Sequence, residues 1–340
     1  MQPKILIIGT GGTIAGMAAD AQNPGVYQAA QLTVQSLVAA IPGIEKAAGR
    51  PLSALQIAQI DSKDMDDGVW LALLQACDNA MHDDSVAGVV ITHGTDTLEE
   101  TAWFLHLCLG RLPKPVVLTC AMRPANALMP DGPQNLKDAV AAAGARDANG
   151  EPLLHHVAVV TGGGELHSAR WVQKVHPHRL LAFSSGEQGL LGWVGADGLR
   201  LRDGQCAGAT AAIVQPSAYT GAEARAAMPA AGQAWPWVEV ITSHAGARAA
   251  LVEALVAQGV RGIVVAATGN GTVHQALEPA LDRARDEGVA VWRATRCADG
   301  HIEESKLPAP GKADVGSELA VALSPVKARI SLQLALMGVV

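Results

Sequence analysis

Apolar residues in this chain come in short runs, and each run is closed by glycine or by small polar residues. The first stretch, Lys4–Gly16 (KILIIGTGGTIAG), sets the pattern. Its run Ile5–Ile8 is brief, rich in isoleucine and stopped by Gly9, which predicts a buried parallel strand rather than a helix. Further strands are predicted over Ser53–Ile60, Gly88–Thr92, Pro115–Cys120 and Val157–Val160. They run into Asp61-Ser62-Lys63-Asp64-Met65, His93-Gly94-Thr95-Asp96-Thr97, Ala121-Met122-Arg123-Pro124 and Thr161-Gly162-Gly163-Gly164. Helical spacing fills the intervals at Leu32–Ala40, Asp66–Met81, Leu98–Leu109 and Asn135–Ala145. Asp66, Asp67, Glu99 and Glu100 lie near helix starts, where carboxylates complement the helix dipole.

From Arg200 to about Gln233 the periodicity fades and Gly, Ala and Pro accumulate, which reads as a linker. A second series follows, with strands at Val238–Thr242, Gly262–Ala266 and Val289–Arg293. Its helices are expected at Ala247–Gln258, Thr272–Glu287 and Pro325–Leu336. The expected fold class is therefore α/β with two doubly wound domains. A large N-terminal parallel-rich sheet domain over 1–200 carries the catalysis, a linker covers 201–233, and 234–340 forms a smaller C-terminal, flavodoxin-like domain. The long polar loop Ala298–Gly316 is of a length that is usually functional or disordered.

Composition narrows the function classes. Nearly half the residues (49%) are hydrophobic, enough for a large core, and only 3% are aromatic, so alanine and glycine fill much of the interior. A net charge of −7 argues against nucleic-acid and anionic-membrane partners. No run is long enough to span a bilayer. The N-terminus lacks the longer apolar region of a secretory signal, so a cytoplasmic protein is expected if Met1 is the native start. Cys77, Cys108, Cys120, Cys206 and Cys297 are odd in number and scattered, implying neither a disulfide framework nor a zinc site.

Gly9, Gly11, Gly12 and Gly16 allow a sharp turn and close approach to a ligand at a strand's carboxyl end, where ligands collect in open α/β sheets. The spacing is neither GxGxxG nor a phosphate loop ending in GK[ST]. Thr10 reads as a packing residue. Thr13 stands on the glycine turn, where backbone N–H groups could meet an oxyanion, and it is the candidate nucleophile. A second pair, Thr95-Asp96, needs a basic partner to form a proton relay. His93 reads as a loop hydrogen-bonding residue, and Trp70, Trp103 and Trp292 as core or interface anchors. His176 and His178 have no evident third ligand, so no metal is expected.

With these loops in view, the sequence resembles the bacterial-type L-asparaginase/glutaminase family. TGGTIAG (Thr10–Gly16) and HGTDTLEET (His93–Thr101) match the family's two signature motifs in order. Similarity continues through VWLALLQ (Val69–Gln75), AMRPANALMPDGPQNL (Ala121–Leu136), RWVQK (Arg170–Lys174), GNG (Gly269–Gly271) and KARISLQLAL (Lys327–Leu336). The resemblance implies hydrolysis of L-asparagine through an acyl-threonine on Thr13, with neither metal nor cofactor. It implies a relay of Thr95, Lys174 and Asp96, in which a desolvated Lys174 takes a proton through Thr95. It makes Tyr27 the tyrosine of a lid running from Ala15 to about Gln31. It assigns Ser62 to the substrate's α-carboxylate and Asp96 to its α-ammonium, with Lys63 beside them. It further implies a homotetramer, a dimer of dimers, in which a neighbouring subunit lends a glutamate, here Glu303 or Glu304.

Two positions depart from the family pattern. Lys63 stands where many relatives carry an amide, and Thr272 follows GNG where asparagine is frequent. They motivate a second reading, in which L-glutamine or another amide is the substrate. The third reading, a protein that binds aspartate-like ligands without turnover, is disfavoured by the completeness of the relay.

Overall fold

The computed structural model describes residues 2–20, 25–202, 221–230, 232–303 and 319–340. They divide into two compact units, the first running to residue 202 with 221–225, the second from Ala226 onward.

The first unit opens with β1 (Lys4–Gly11), followed by a two-stranded ribbon of β2 (Met17–Ala18) and β3 (Tyr27–Gln28). Then come α1 (Val34–Ala39), α2 (Ile44–Ala48), β4 (Leu52–Ile60), α3 (Asp67–His82), β5 (Val86–Thr92) and α4 (Leu98–Leu109). β6 (Val116–Thr119), α5 (Gly132–Gly144) and β7 (Ala158–Val160) complete the alternating part. After them the pattern changes to β8 (Glu165–Ser168), a ribbon of β9 (Gln173–Lys174) and β10 (Phe183–Ser184), and a hairpin of β11 (Gly192–Gly195) and β12 (Gly198–Leu201).

The main sheet has the order β12-β11-β8-β7-β6-β5-β1-β4. From β4 to β7 neighbouring strands are parallel, whereas β8, β11 and β12 extend the edge antiparallel. The antiparallel edge is not predicted from the sequence. Its strands are four residues each and give too short a pattern to read. The central strands form as expected because both faces are covered: Ile5, Ile7 and Ile8 have no exposed surface and every residue of β5 is buried. β1 lies between β4 and β5, with Ile7 opposite Ala54 on one side and Val90 on the other. The chain leaves β1 for one neighbour and returns on the opposite side. That reversal is a topological switch point, so the loops after β1, β4 and β5 open a crevice at the strands' carboxyl ends.

Helix α4 matches its predicted bounds and is buried almost all round, and Phe104 stacks on Trp70 of α3 with ring centroids 4.9 Å apart. α5 begins earlier than predicted, at Gly132, whose missing side chain leaves room for Ile14: a Cβ there would lie 2.9 Å from Ile14 Cγ1. α2 is unpredicted. It is a single turn bracketed by Gly43 and Gly49, both left-handed.

α6 (Gly221–Ala227) falls within the 201–233 stretch, much of which lies outside the described residues. The second unit holds a parallel sheet of β13 (Val238–Thr242), β14 (Gly262–Ala267), β15 (Ala290–Thr295) and β16 (Leu319–Ala320), in that order. α7 (Ala250–Ala257) and α8 (Glu278–Asp286) contribute Val252, Leu281 and Ala284 to one buried cluster with Ile263 and Val265. α9 (Pro325–Leu336) packs on the sheet through Leu332, against Gly262. A helix was expected from Thr272, but α8 starts only at Glu278. Thr268 and Thr272 exchange backbone hydrogen bonds of 2.9 Å instead, forming a local bridge that a helix would have to break. The polar loop after Ala298 is described only as far as residue 303. Among the described residues no helix is long and apolar enough to cross a membrane.

Candidate active site

Three loops meet at the switch point through backbone contacts that only glycine permits. Gly12 has φ 76° and ψ −172°, and a Cβ on it would lie 2.3 Å from the Gly94 Cα. A Cβ on Gly94 would in turn lie 2.4 Å from Ser62 Oγ. The loop after β1 thus sits against the loop after β5, which sits against the turn after β4. The Gly12 N–H donates to the Ile60 carbonyl at 2.8 Å, so this N–H is engaged in joining loops. Thr10, as expected, ties strands together: its hydroxyl donates to the Thr92 carbonyl at 3.0 Å.

Thr13 and Thr95 flank this junction, and both are buried. Thr13 opens a 3-10 turn, Thr13–Ala15, and its hydroxyl shares a 2.7 Å hydrogen bond with the Tyr27 phenol on β3. Tyr27 is partly open to solvent, and a Cβ on Gly16 would lie 3.0 Å from its ring. On the other side, Lys174 Nζ donates to Thr95 Oγ1 at 2.8 Å and to Asp96 Oδ1 at 2.6 Å. The Lys174 side chain is 15% exposed and that of Asp96 52%. The carboxylate therefore faces both the Lys174 nitrogen and open space, where a cationic ligand group could reach it.

Ser62 is buried in the turn after β4. Its hydroxyl accepts the Asp96 amide at 3.2 Å, and its carbonyl accepts the Thr97 hydroxyl at 2.8 Å. Lys63 is exposed and pairs with Asp64, and that hydrogen bond raises its pKa above the ordinary lysine value. Glu303 belongs to the second unit, where its backbone amide donates to Asn270 Oδ1 at 2.9 Å. Glu304 lies outside the described residues. His176 is not arranged as a ligand: its Nδ1 accepts the backbone amides of His178 and Arg179. Among the described residues no three His, Cys, Asp or Glu side chains cluster as a metal site.

Several supporting residues escaped the sequence reading. Glu99, read there as a helix-start carboxylate, accepts the Lys174 backbone amide at 2.7 Å and so ties β9 to the start of α4. His93 has both ring nitrogens engaged, Nδ1 with the Gly94 carbonyl at 2.8 Å and Nε2 with Thr101 Oγ1 at 2.9 Å. The Trp70 indole donates to the same Thr101 oxygen at 2.9 Å. A carbonyl can only accept, so Nδ1 carries the proton and the neutral ring accepts at Nε2. Asn126, in the loop after β6, holds Ala18 on β2 by two hydrogen bonds. The partners of Glu99 and Asn126 lie 75 and 108 positions away, and no local pattern signals them, whereas His93 is the loop hydrogen-bonding residue that the sequence suggests.

The whole chain can now be set against known proteins. Residues 4–205 match the family described as asparaginase, N-terminal, and residues 237–338 match the glutaminase/asparaginase C-terminal domain. The chain belongs to the asparaginase family. Among its relatives is an L-asparaginase 2 of Bacillus subtilis, 34% identical over 98% of this chain and 82% of that protein. A glutaminase-asparaginase of Pseudomonas fluorescens is also 34% identical, over 98% of this chain and 86% of that protein. The crystal structure of a probable cytoplasmic L-asparaginase from Campylobacter jejuni superposes with a TM-score of 0.81 at 32% identity, covering 98% and 95% of the two chains. Membership in this family makes the protein an amide hydrolase.

Proposed function

We propose that the protein hydrolyses L-asparagine to L-aspartate and ammonia, with Thr13 as the nucleophile. The observation that carries the reading is the pair of threonine hydroxyls on fused loops, each already hydrogen-bonded to a different activating group: Thr13 to Tyr27 and Thr95 to Lys174.

In the first step Thr13 Oγ1 attacks the side-chain amide carbon, forming a C–O bond. The hydroxyl proton passes by way of the neighbouring hydroxyl network to the leaving nitrogen, the C–N bond breaks and ammonia departs. Water then attacks the aspartyl ester, its proton passing through Thr95 to the neutral Lys174 amine. The C–O bond to Thr13 breaks, and that proton is returned to the departing Thr13 oxygen, which regenerates both the hydroxyl and the free amine. Asp96 accepts the substrate's α-ammonium on its open face and Ser62 holds the α-carboxylate. Lys63, paired with Asp64, stays at the rim.

The test is Thr13→Ala with ammonia release as readout. A loss of more than about a thousandfold is expected, as for removal of an essential nucleophile. Unchanged turnover would remove the proposal. Trapping wild-type protein during turnover should show aspartyl mass on the peptide containing Thr13. Glutamine is the second reading, motivated by Lys63 and Thr272 and kept open by identity to a glutaminase-asparaginase equal to that to an L-asparaginase. Comparing kcat/KM for the two amides in the same assay decides between them.

The assembly belongs to the same proposal: a homotetramer built as a dimer of dimers, in which Glu303 or Glu304 of a neighbouring subunit meets the substrate's α-ammonium. A cytoplasmic location is also proposed, supported by the likeness to the probable cytoplasmic L-asparaginase of Campylobacter jejuni.

A further inference from the structure

We infer that Asn126 is a positioning residue that latches the β2–β3 ribbon and through it holds Tyr27 on Thr13. The inference rests on the reading of Thr13 and Tyr27 above. Asn126 Oδ1 accepts the Ala18 N–H at 2.7 Å, and Asn126 Nδ2 donates to the Ala18 carbonyl at 2.8 Å. One side-chain amide thus occupies both backbone groups of Ala18, as a neighbouring strand would. The preceding residue adds a third bond, Ala125 N–H to the Gly16 carbonyl at 2.9 Å.

The register shows what this latch controls. Ala18 stands opposite Tyr27 in the antiparallel pair, and Met17 opposite Gln28. In such a pair the two backbone groups of one residue point the same way. Those of Ala18 point to Asn126, so Ala18 and Tyr27 form the close, non-hydrogen-bonded pair. A two-residue ribbon has little stability of its own, and its far strand carries the phenol that meets Thr13 at 2.7 Å. The chain of contacts therefore runs Asn126, Ala18, Tyr27, Thr13.

Asn126 has a firm base. Asp131 accepts the backbone amides of Met122 and Arg123 at 2.8 and 2.9 Å, and Arg123 donates to the Met129 carbonyl at 2.9 Å. The loop is braced on both sides of Asn126, and the hydrogen bonds of its side chain go to Ala18 and not to the hydroxyls of the relay. Its influence on chemistry is through placement alone. A misplacement of about 1 Å at a reacting group can cost about 100-fold in rate.

The experiment uses the full chain and compares wild type with Asn126→Ala, Asn126→Asp, Tyr27→Phe and the double variant Asn126→Ala/Tyr27→Phe. Two readouts are taken, hydrogen exchange and steady-state ammonia release from asparagine. Asn126→Ala should speed exchange of the Ala18 amide and of the ribbon about tenfold or more, with β5 and β14 unchanged. It should lower kcat about 10- to 100-fold. Asn126→Asp keeps the acceptor but sets a second oxygen against the Ala18 carbonyl, and it should resemble Ala. On the Tyr27→Phe background the Asn126→Ala loss should largely vanish, because both changes act through one contact. Losses that multiply independently, an Asn126→Asp variant with wild-type turnover, or unchanged ribbon exchange would each overturn the inference. The exchange readout does not depend on the chemistry. A loosened ribbon in a protein whose Thr13→Ala variant still turns over would refute the nucleophile and keep the latch. Unchanged exchange beside an inactive Thr13→Ala would refute the latch alone.

Discussion

His93 shows what burial does to a single side chain. Its imidazole has no exposed surface, and desolvation pushes its pKa down to about 4 from the ordinary 6.5, with the hydrogen bond to Gly94 working in the opposite direction. Between those two values the unfolded chain binds a proton that the folded chain does not. Stability from this residue is therefore complete above about pH 6.5 and is lost as the pH falls toward about 4, by about 3 kcal/mol in all. Urea unfolding at about pH 7 and about pH 5 should show the decline, and NMR of labelled histidine should show the His93 ring neutral at the lower of the two. A ring that titrates near its ordinary value would contradict this. The same residue shows what a sequence withholds. HGTDTLEET marks His93 as part of a motif, and its proton is placed by the adjacent Gly94 carbonyl, but the Trp70 indole that orients the Thr101 hydroxyl toward Nε2 sits on another helix.

Between elements, the site depends on backbones meeting where side chains would collide. Gly12 occupies a conformation that is essentially reserved for glycine, pressed on Gly94. Gly12→Ala should cost about 3 kcal/mol or more and abolish turnover. Gly43→Ala is the control. It too has a positive φ, 72°, but nothing lies within 4 Å of its added Cβ, so about 1 kcal/mol is expected and activity should persist. Equal effects in urea unfolding would mean that backbone conformation, and not loop contact, limits Gly12. Strands such as Val238–Thr242 and helices such as Leu98–Leu109 and Pro325–Leu336 were legible from periodicity, because burial and repeat length agree there. The antiparallel edge was not, since its pairing partners are chosen by sheet geometry and its strands carry no more than four residues each. The helix expected from Thr272 failed because a threonine–threonine bridge, invisible to periodicity, took over its first turn.

For the whole molecule, the proposed ammonium site takes two acidic groups. Within the first unit Asp96 is the carboxylate beside Lys174 that also faces open space. The proposed tetramer supplies the remaining group from a neighbour. Light scattering should give about four times the chain mass in the active fraction, and mixing and refolding inactive Thr13→Ala with inactive Glu303→Gln should restore part of the turnover. An active monomer contradicts the assembly. Failure to complement in an intact tetramer points away from Glu303.

The order of apolar runs and polar loops, the two threonine motifs and the family membership were all contained in the sequence. Each depends on residues adjacent in the chain, and local backbone preference and burial act over that range. The tertiary structure alone decided that Gly12, Ser62 and Gly94 touch and that Asn126 grips Ala18 across 108 positions, and it gave the distances at which Lys174 meets Thr95 and Asp96 from 79 and 78 positions away. Those contacts follow from how strands are ordered in the sheet. That order is a property of the whole packed core, and no single stretch of chain encodes it.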